Sequence, residues 1–302
     1  TGEENFVWPE DSGASFGSVL RWIVGLTEAE PESLRRPQSG VLDESGRVLV
    51  TDVSRQSVAV FDQGKGSLSF WDKAVGYQSF VSPVGIALGP DGDAFVADAE
   101  LGFVVRLDRD GNNRGVIGRG HLQRPTGVAW DGDRQRLYVV DTHAHDLKVF
   151  DLTGALVGNF GERGDRDGEF NFPTFVALHD DELYVSDTMN ARIQVISAEK
   201  GEFRRTIGSR GMYVGNLVRP KGVAVDGEGN VYVVESYHDH LLVFNRKGQF
   251  LMAVGGGAGT AVGQYYLPSG VWIDARNRLF LADTFNGRIV VFQFLGGGAE
   301  NE

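Results

Sequence analysis

The sequence predicts an all-β fold: six four-stranded antiparallel blades standing around a common axis. Three observations predict it. One phrase of sequence recurs six times: a proline, one residue, a small residue, an apolar run, a Gly/Asp/Asn turn, a second apolar run and an acid. The clearest copies begin at Pro125 (P-T-G-V-A-W-D, then L-Y-V-V-D), Pro220 (P-K-G-V-A-V-D, then V-Y-V-V-E) and Pro268 (P-S-G-V-W-I-D, then L-F-L-A-D). The opening prolines Pro37, Pro83, Pro125, Pro173, Pro220 and Pro268 are separated by 46, 42, 48, 47 and 48 residues. The closing acids Asp52, Asp98, Asp141, Asp187, Glu235 and Asp283 keep that step. Finally, the apolar runs have the length of strands, and no convincing amphipathic helix interrupts them. A period in the forties with several short strands per unit marks the blade of a β-propeller.

Taken in order, residues 1–16 form an N-terminal arm containing Phe6-Val7-Trp8-Pro9, which is expected to pack over the rim or anchor to a partner. Residues 17–25 match outer strands elsewhere, such as Gly154–Gly161, whereas the last copy stops after Ile289-Val290-Val291-Phe292 without an outer strand of its own. Residues 17–25 are therefore expected to complete the sixth blade and close the ring, since closure removes an open sheet edge. A single propeller domain then spans 17–295, and 296–302 is a flexible tail. In the fifth copy, residues 222–225, 231–234, 241–244 and 250–254 read as strands a to d. Asp226–Asn230 and Arg246–Gly248 supply the turns. This connectivity puts the b–c turns and the long d–a loops (162–172, 209–219 and 255–267) on one face. On a rigid scaffold, that loop-rich face is the expected binding face.

The copies resemble the NHL repeat family over nearly the whole chain. The segments Asp187-Thr188-Met189-Asn190-Ala191-Arg192-Ile193 and Asp283-Thr284-Phe285-Asn286-Gly287-Arg288-Ile289 reproduce the second half of that repeat, and Gly161 to Pro173 reproduces its glycine-rich loop. The resemblance implies a six-bladed propeller. Bacterial relatives are often exported proteins or lipoproteins with a Val-Trp-Pro-like element near the mature start, which Val7-Trp8-Pro9 resembles. That implies a periplasmic, cell-surface or extracellular setting, with a possible lipid anchor upstream of residue 1. The alternative is the cytoplasm.

Composition narrows the chemistry. The 302 residues contain no cysteine, so disulfides, thiolate metal sites and cysteine nucleophiles are excluded. No apolar run approaches the roughly 18 residues that cross a bilayer as a helix. A net charge of −12 opposes phosphate backbones over most of the surface, so nucleic acid is not an expected partner, although some animal members of the family bind RNA.

Candidate residues fall in three groups. His143-Ala144-His145 and His238-Asp239-His240 lie in b–c turns, and imidazoles two apart in an extended segment point the same way and can share a transition metal. The competing reading makes His143, His145, His238 and His240 polar loop residues standing where the family has Asn and Arg. Second, the family's amidating lyases hold axial zinc with histidines, including ones just after the blade-opening proline. Here those positions are Gln38, Val84, Thr126, Thr174, Lys221 and Ser269, so that site is missing. Lactonase relatives need axial Glu, Asn and Asp. Glu235 alone departs from Asp, and acids that recur in every blade read as turn or cap devices. Third, Phe175 stands where other blades have Gly40, Gly85, Gly127, Gly222 and Gly270. With Arg210, Tyr213, Lys221, Tyr237 and His238 it is expected to form an aromatic and cationic patch over blades 4 and 5, suited to an anionic or peptide ligand.

The leading expectation is a non-enzymatic propeller, without catalytic residue or cofactor, that binds a protein or peptide through its loop face as an accessory subunit of a bacterial envelope or extracellular assembly. The alternative is a metal-dependent lyase or lactonase with its site at the mouth of the channel.

Overall fold

Alternation along single strands sets the architecture. In Val231–Glu235, Val231 and Val233 enter a core shared with blade 4, whereas Tyr232 and Val234 face a core shared with blade 6. A strand covered on both faces must be apolar at every position, which is why these runs lack the usual polar alternation. Six such cores lie between neighbouring sheets. Each joins the side chains of two blades, so no blade buries its faces alone. Phe244, buried in the core between blades 4 and 5, illustrates the stake. Its truncation to alanine costs about 3–5 kcal/mol.

The structure, a computed structural model, describes residues 33–274 and 276–293. Five sheets have four antiparallel strands in sequence order. Their innermost strands are Pro37–Leu42, Pro83–Leu88, Pro125–Asp131, Pro173–His179 and Pro220–Val225. In the sixth sheet the described strands are Val271–Ile273, Arg278–Asp283 and Arg288–Gln293. The strand expected at 17–25, the arm 1–16 and the tail 296–302 lie outside the described residues. Blade 6 nonetheless packs directly on blade 1. Trp272 and Phe280 share a core with Leu34, Val50 and Phe61, and Thr284 Oγ1 donates to the Pro37 carbonyl at 2.8 Å.

The inner strands form the wall of an axial channel of about 290 Å³. Small residues are required there because neighbouring strands meet backbone to backbone. A Cβ on Gly85 would lie 2.1 Å from the Thr126 carbonyl oxygen, and one on Gly127 would lie 2.7 Å from Phe175 Cα. One connection differs from the sequence expectation. Lys73–Val75 and Gln78–Ser79 between blades 1 and 2 pair as a small extra hairpin, with Tyr77 fully exposed at its turn.

Candidate functional site

The recurring acids build the loop face. Asp98, fully buried, accepts the N–H groups of Val81 (2.7 Å) and Ser82 (3.0 Å) from the preceding d–a loop, and of Glu100 and Leu101 from its own b–c turn. Asp52 does the same for Arg35, Arg36, Ser54 and Arg55, and Asp141 for Gln123 and Arg124. Each carboxylate thus pins the end of a d–a loop to a b–c turn, satisfying donors that sheet pairing leaves over. Glu235 performs this role in blade 5 for Val218, Arg219 and Tyr237.

The three long d–a loops share one construction. Parallel bridges Arg163–Phe170, Arg210–Leu217 and Ala258–Tyr265 close them, and Phe170, Leu217 and Tyr265 are fully buried anchors. Two of the loops are also tied from the adjacent b–c turn. Asn190 donates to the Gly164 carbonyl and Arg192 to those of Arg166 and Glu169. Asn286 donates to Gly259, and Arg288 to Thr260 and Gln264. In blade 5 those two positions are His238 and His240, and the ties are gone. His240 Nδ1 sits 2.5 Å from the His238 carbonyl instead. A small void of about 50 Å³ opens beneath loop 209–219, bordered by Tyr213, Asn216, His238 and His240. Above it Met212, Tyr213 and Val214 are 66%, 84% and 65% exposed.

The two His-x-His pairs are therefore not equivalent. His143 and His145 stand two and four residues after their acid, whereas His238 and His240 stand three and five after theirs. Nor is either segment extended: His145 and Asp239 occupy the left-handed region, at φ 62° and 55°. His145 Nδ1 accepts the Phe172 N–H at 3.1 Å, and its ring packs 4.4 Å from the Phe172 ring. Burial, followed by the nearby Arg163 charge, lowers the His145 pKa. Asp239 accepts the Leu267 N–H at 2.6 Å, and burial raises its carboxyl. Both contacts latch one blade to the next. They also hold Phe172 and Leu267 at φ 47° and 46°, which non-glycine residues seldom adopt. Among the described residues, no group of three or more His, Asp or Glu side chains is placed to hold a metal ion.

The patch expected over blades 4 and 5 is only partly assembled. Tyr213, Tyr237 and His238 do converge, with Tyr237 set edge-on to His238 at 5.0 Å between centroids. Arg210 reaches away, donating to the Met189 carbonyl at 2.6 Å. Phe175 lies elsewhere. Only 8% exposed, it fills the core between blades 4 and 5 with Tyr184, Ile193 and Val223, because the approach of neighbouring inner strands leaves a side chain there nowhere else to go. Lys221 sits at the channel rim, its pKa lowered by burial and then by the Arg219 charge. Sequence reasoning missed Arg219, Met212 and Val214. The signal was the apolar triplet 212–214 set between glycines in a loop.

Comparison with known proteins agrees with this geometry. A family model described as a 6-bladed beta-propeller matches residues 216–302. Protein brain tumor of Drosophila melanogaster is 30% identical over 138 residues, 45% of this chain and 13% of that protein. NHL repeat-containing protein 2 of Bos taurus is 30% identical over 154 residues, 40% of this chain and 21% of that protein. The chain thus spans a small part of these relatives' length. Among solved structures, virginiamycin B lyase from Staphylococcus aureus superposes with a TM-score of 0.63 at 12% identity, covering 87% of each chain, a likeness of fold alone. The molecule is a six-bladed β-propeller. Its blades resemble the repeats that give NHL repeat-containing protein 2 its name.

Proposed function

We propose that this chain is a non-enzymatic binding propeller that holds a protein or peptide on the loop face of blades 4 to 6. The observation that carries the reading is the loop 209–219, which projects Met212, Tyr213 and Val214 above a void where its sister loops are tied down. Exposed Phe172, Met189, Tyr237, Tyr266 and Phe285 on the adjoining loops and turns extend the same apolar rim. Contiguous exposed apolar surface of this kind, edged by polar groups, marks interaction sites rather than solvated loops. The setting proposed is a bacterial envelope or extracellular assembly, with the protein as an accessory subunit.

A photo-crosslinking residue at position 213 tests the reading against one at Lys247, on the opposite face. A discrete adduct formed in the native host at 213 and not at 247 supports it. Weakened binding of the adduct's partner to a purified Met212→Ser/Tyr213→Ser double variant supports it further. Equal adducts at both positions overturn it. The enzymatic alternative predicts stoichiometric zinc or calcium in the purified protein.

A further inference from the structure

Several loop-face cations elsewhere on this chain are matched. Of the arginines that precede blade-opening prolines, Arg36 lies 4.8 Å from the Phe285 ring centroid, and Arg124 is paired with Glu100 at 2.6 Å. The half-buried Lys148 is held by Asp146 at 2.7 Å and faces Asp141 at 3.5 Å. In blade 5, Arg219 and Lys221 stand two residues apart, and neither cationic group has a carboxylate or hydrogen-bond acceptor among the described residues. Burial and the Arg219 charge both act against protonation of Lys221, and no opposing charge offsets them.

The rim of blade 5 is built differently from its neighbours. At the same rim positions, blades 3 and 4 close the gap with hydroxyl pairs, Thr126 to Thr142 and Thr174 to Thr188, each at 2.8 Å. Thr142 and Thr188 then donate to the next blade's proline carbonyl. Blade 5 has Lys221 and Ser236 there instead, and no such pair forms between them. Glu235, with its oxygens on the Arg219 and Tyr237 N–H groups, fixes Tyr237 beside the cations and is itself fully engaged.

We propose that Lys221 and Arg219 form a carboxylate-binding site at the channel rim of blade 5, which takes an acidic side chain or the terminal carboxylate of a bound peptide. The site rests on the loop-face reading and assigns it a chemistry. Docking a carboxylate supplies the missing counter-charge, through charge-assisted hydrogen bonds that strengthen as water leaves. The half-exposed Tyr237 covers the neighbouring peptide backbone.

Four fluorescein-labelled hexapeptides test this on the whole chain. Hexaglutamate amide carries side-chain carboxylates only, hexaglutamine with a free C terminus carries the terminal one only, hexaglutamate acid carries both, and hexaglutamine amide carries neither. The expected result is binding of at least one carboxylate probe and not of the neutral control; the two single-source probes tell side chain from terminus. Lys221→Met and Arg219→Gln each weaken that binding about tenfold or more, whereas Lys221→Arg largely retains it. Bound probe should also raise the Lys221 titration, followed by NMR of its ε-carbon. Lys221→Met removes a half-buried charge and is expected to fold as firmly as the parent. Failure of every carboxylate probe to bind at millimolar concentration overturns the site, as does binding indifferent to both neutralising variants. Crosslinks at 213 scored in the same proteins separate the two readings. Adducts without a carboxylate response sink this site alone, and a carboxylate response without adducts sinks the loop-face reading alone.

Discussion

Replacing Glu235 by alanine removes the acceptor for three backbone donors at once: Val218 at 2.7 Å, Arg219 at 3.0 Å and Tyr237 at 3.0 Å. Glu235 is 1% exposed, so these bonds are shielded from competing water. Hydrogen bonds to a charged acceptor each contribute about 1.5–3 kcal/mol. The three share one carboxylate and are not additive, and water reaches a vacated loop end, so the expected loss is about 3–5 kcal/mol. Glu235→Gln separates acceptor geometry from side-chain size. Its carbonyl oxygen keeps the Arg219 and Tyr237 donors, while its amide meets the Val218 N–H donor to donor, at a cost of about 1–2 kcal/mol. Urea unfolding followed by tryptophan fluorescence reads both as a lowered midpoint with an unchanged slope. A glutamine variant as damaged as the alanine variant, or an alanine variant within about 1 kcal/mol of the parent, would falsify the latch argument. The alanine variant should also weaken hexaglutamate binding, because Arg219 and Tyr237 lose their common anchor.

Backbone contact at the inner ring predicts that Gly85→Ala, whose Cβ would meet the Thr126 carbonyl at 2.1 Å, costs at least about 2–3 kcal/mol. Gly227→Ala, where nothing lies within 4 Å, should be neutral within about 0.5 kcal/mol by the same urea unfolding. The His145 latch carries a pH dependence. The Phe172 N–H needs a neutral Nδ1, and burial and Arg163 hold the folded pKa below the usual value of about 6.5, against the Phe170 backbone, with His143 acting in the same direction as Arg163 and Asp146 opposing it. Its contribution is therefore complete above about pH 6.5 and is lost as pH falls below that value, where the unfolded chain takes up the proton first. The melting temperature should drop more between about pH 7.5 and about pH 5 for the parent than for His145→Asn; equal drops would remove His145 from the account.

The recurring phrase made much of the molecule readable. Strand pattern, turn chemistry and the capping acids are local or strictly periodic, so six copies corroborate one another. The assignment of Asp98 and its counterparts as cap devices agrees with the donors they collect. The grouping of b–c turns with d–a loops follows from strand direction, and the carboxylates bridging the two are its structural expression. Phe175 was expected in the loop-face patch because a non-glycine residue stands there where the other blades have glycine. Only the approach of the next blade shows that its ring must turn into the core. The histidine pairs looked alike as tripeptides, yet a one-residue offset from the acid sends His145 to Phe172 and leaves His240 on the His238 carbonyl.

The sequence by itself determined blade number, strand order and which loops and turns share a face, because these depend on periodicity and on chemistry within a few residues. Tertiary structure alone decided which charges are answered and which loops are tied. Those partners come from the neighbouring blade or from the far side of a loop, some fifteen to thirty or more residues away in the chain. Pattern cannot express whether two side chains separated by such a stretch meet, so the pair Arg219 and Lys221, unanswered among the described residues, emerged only once the ring was assembled.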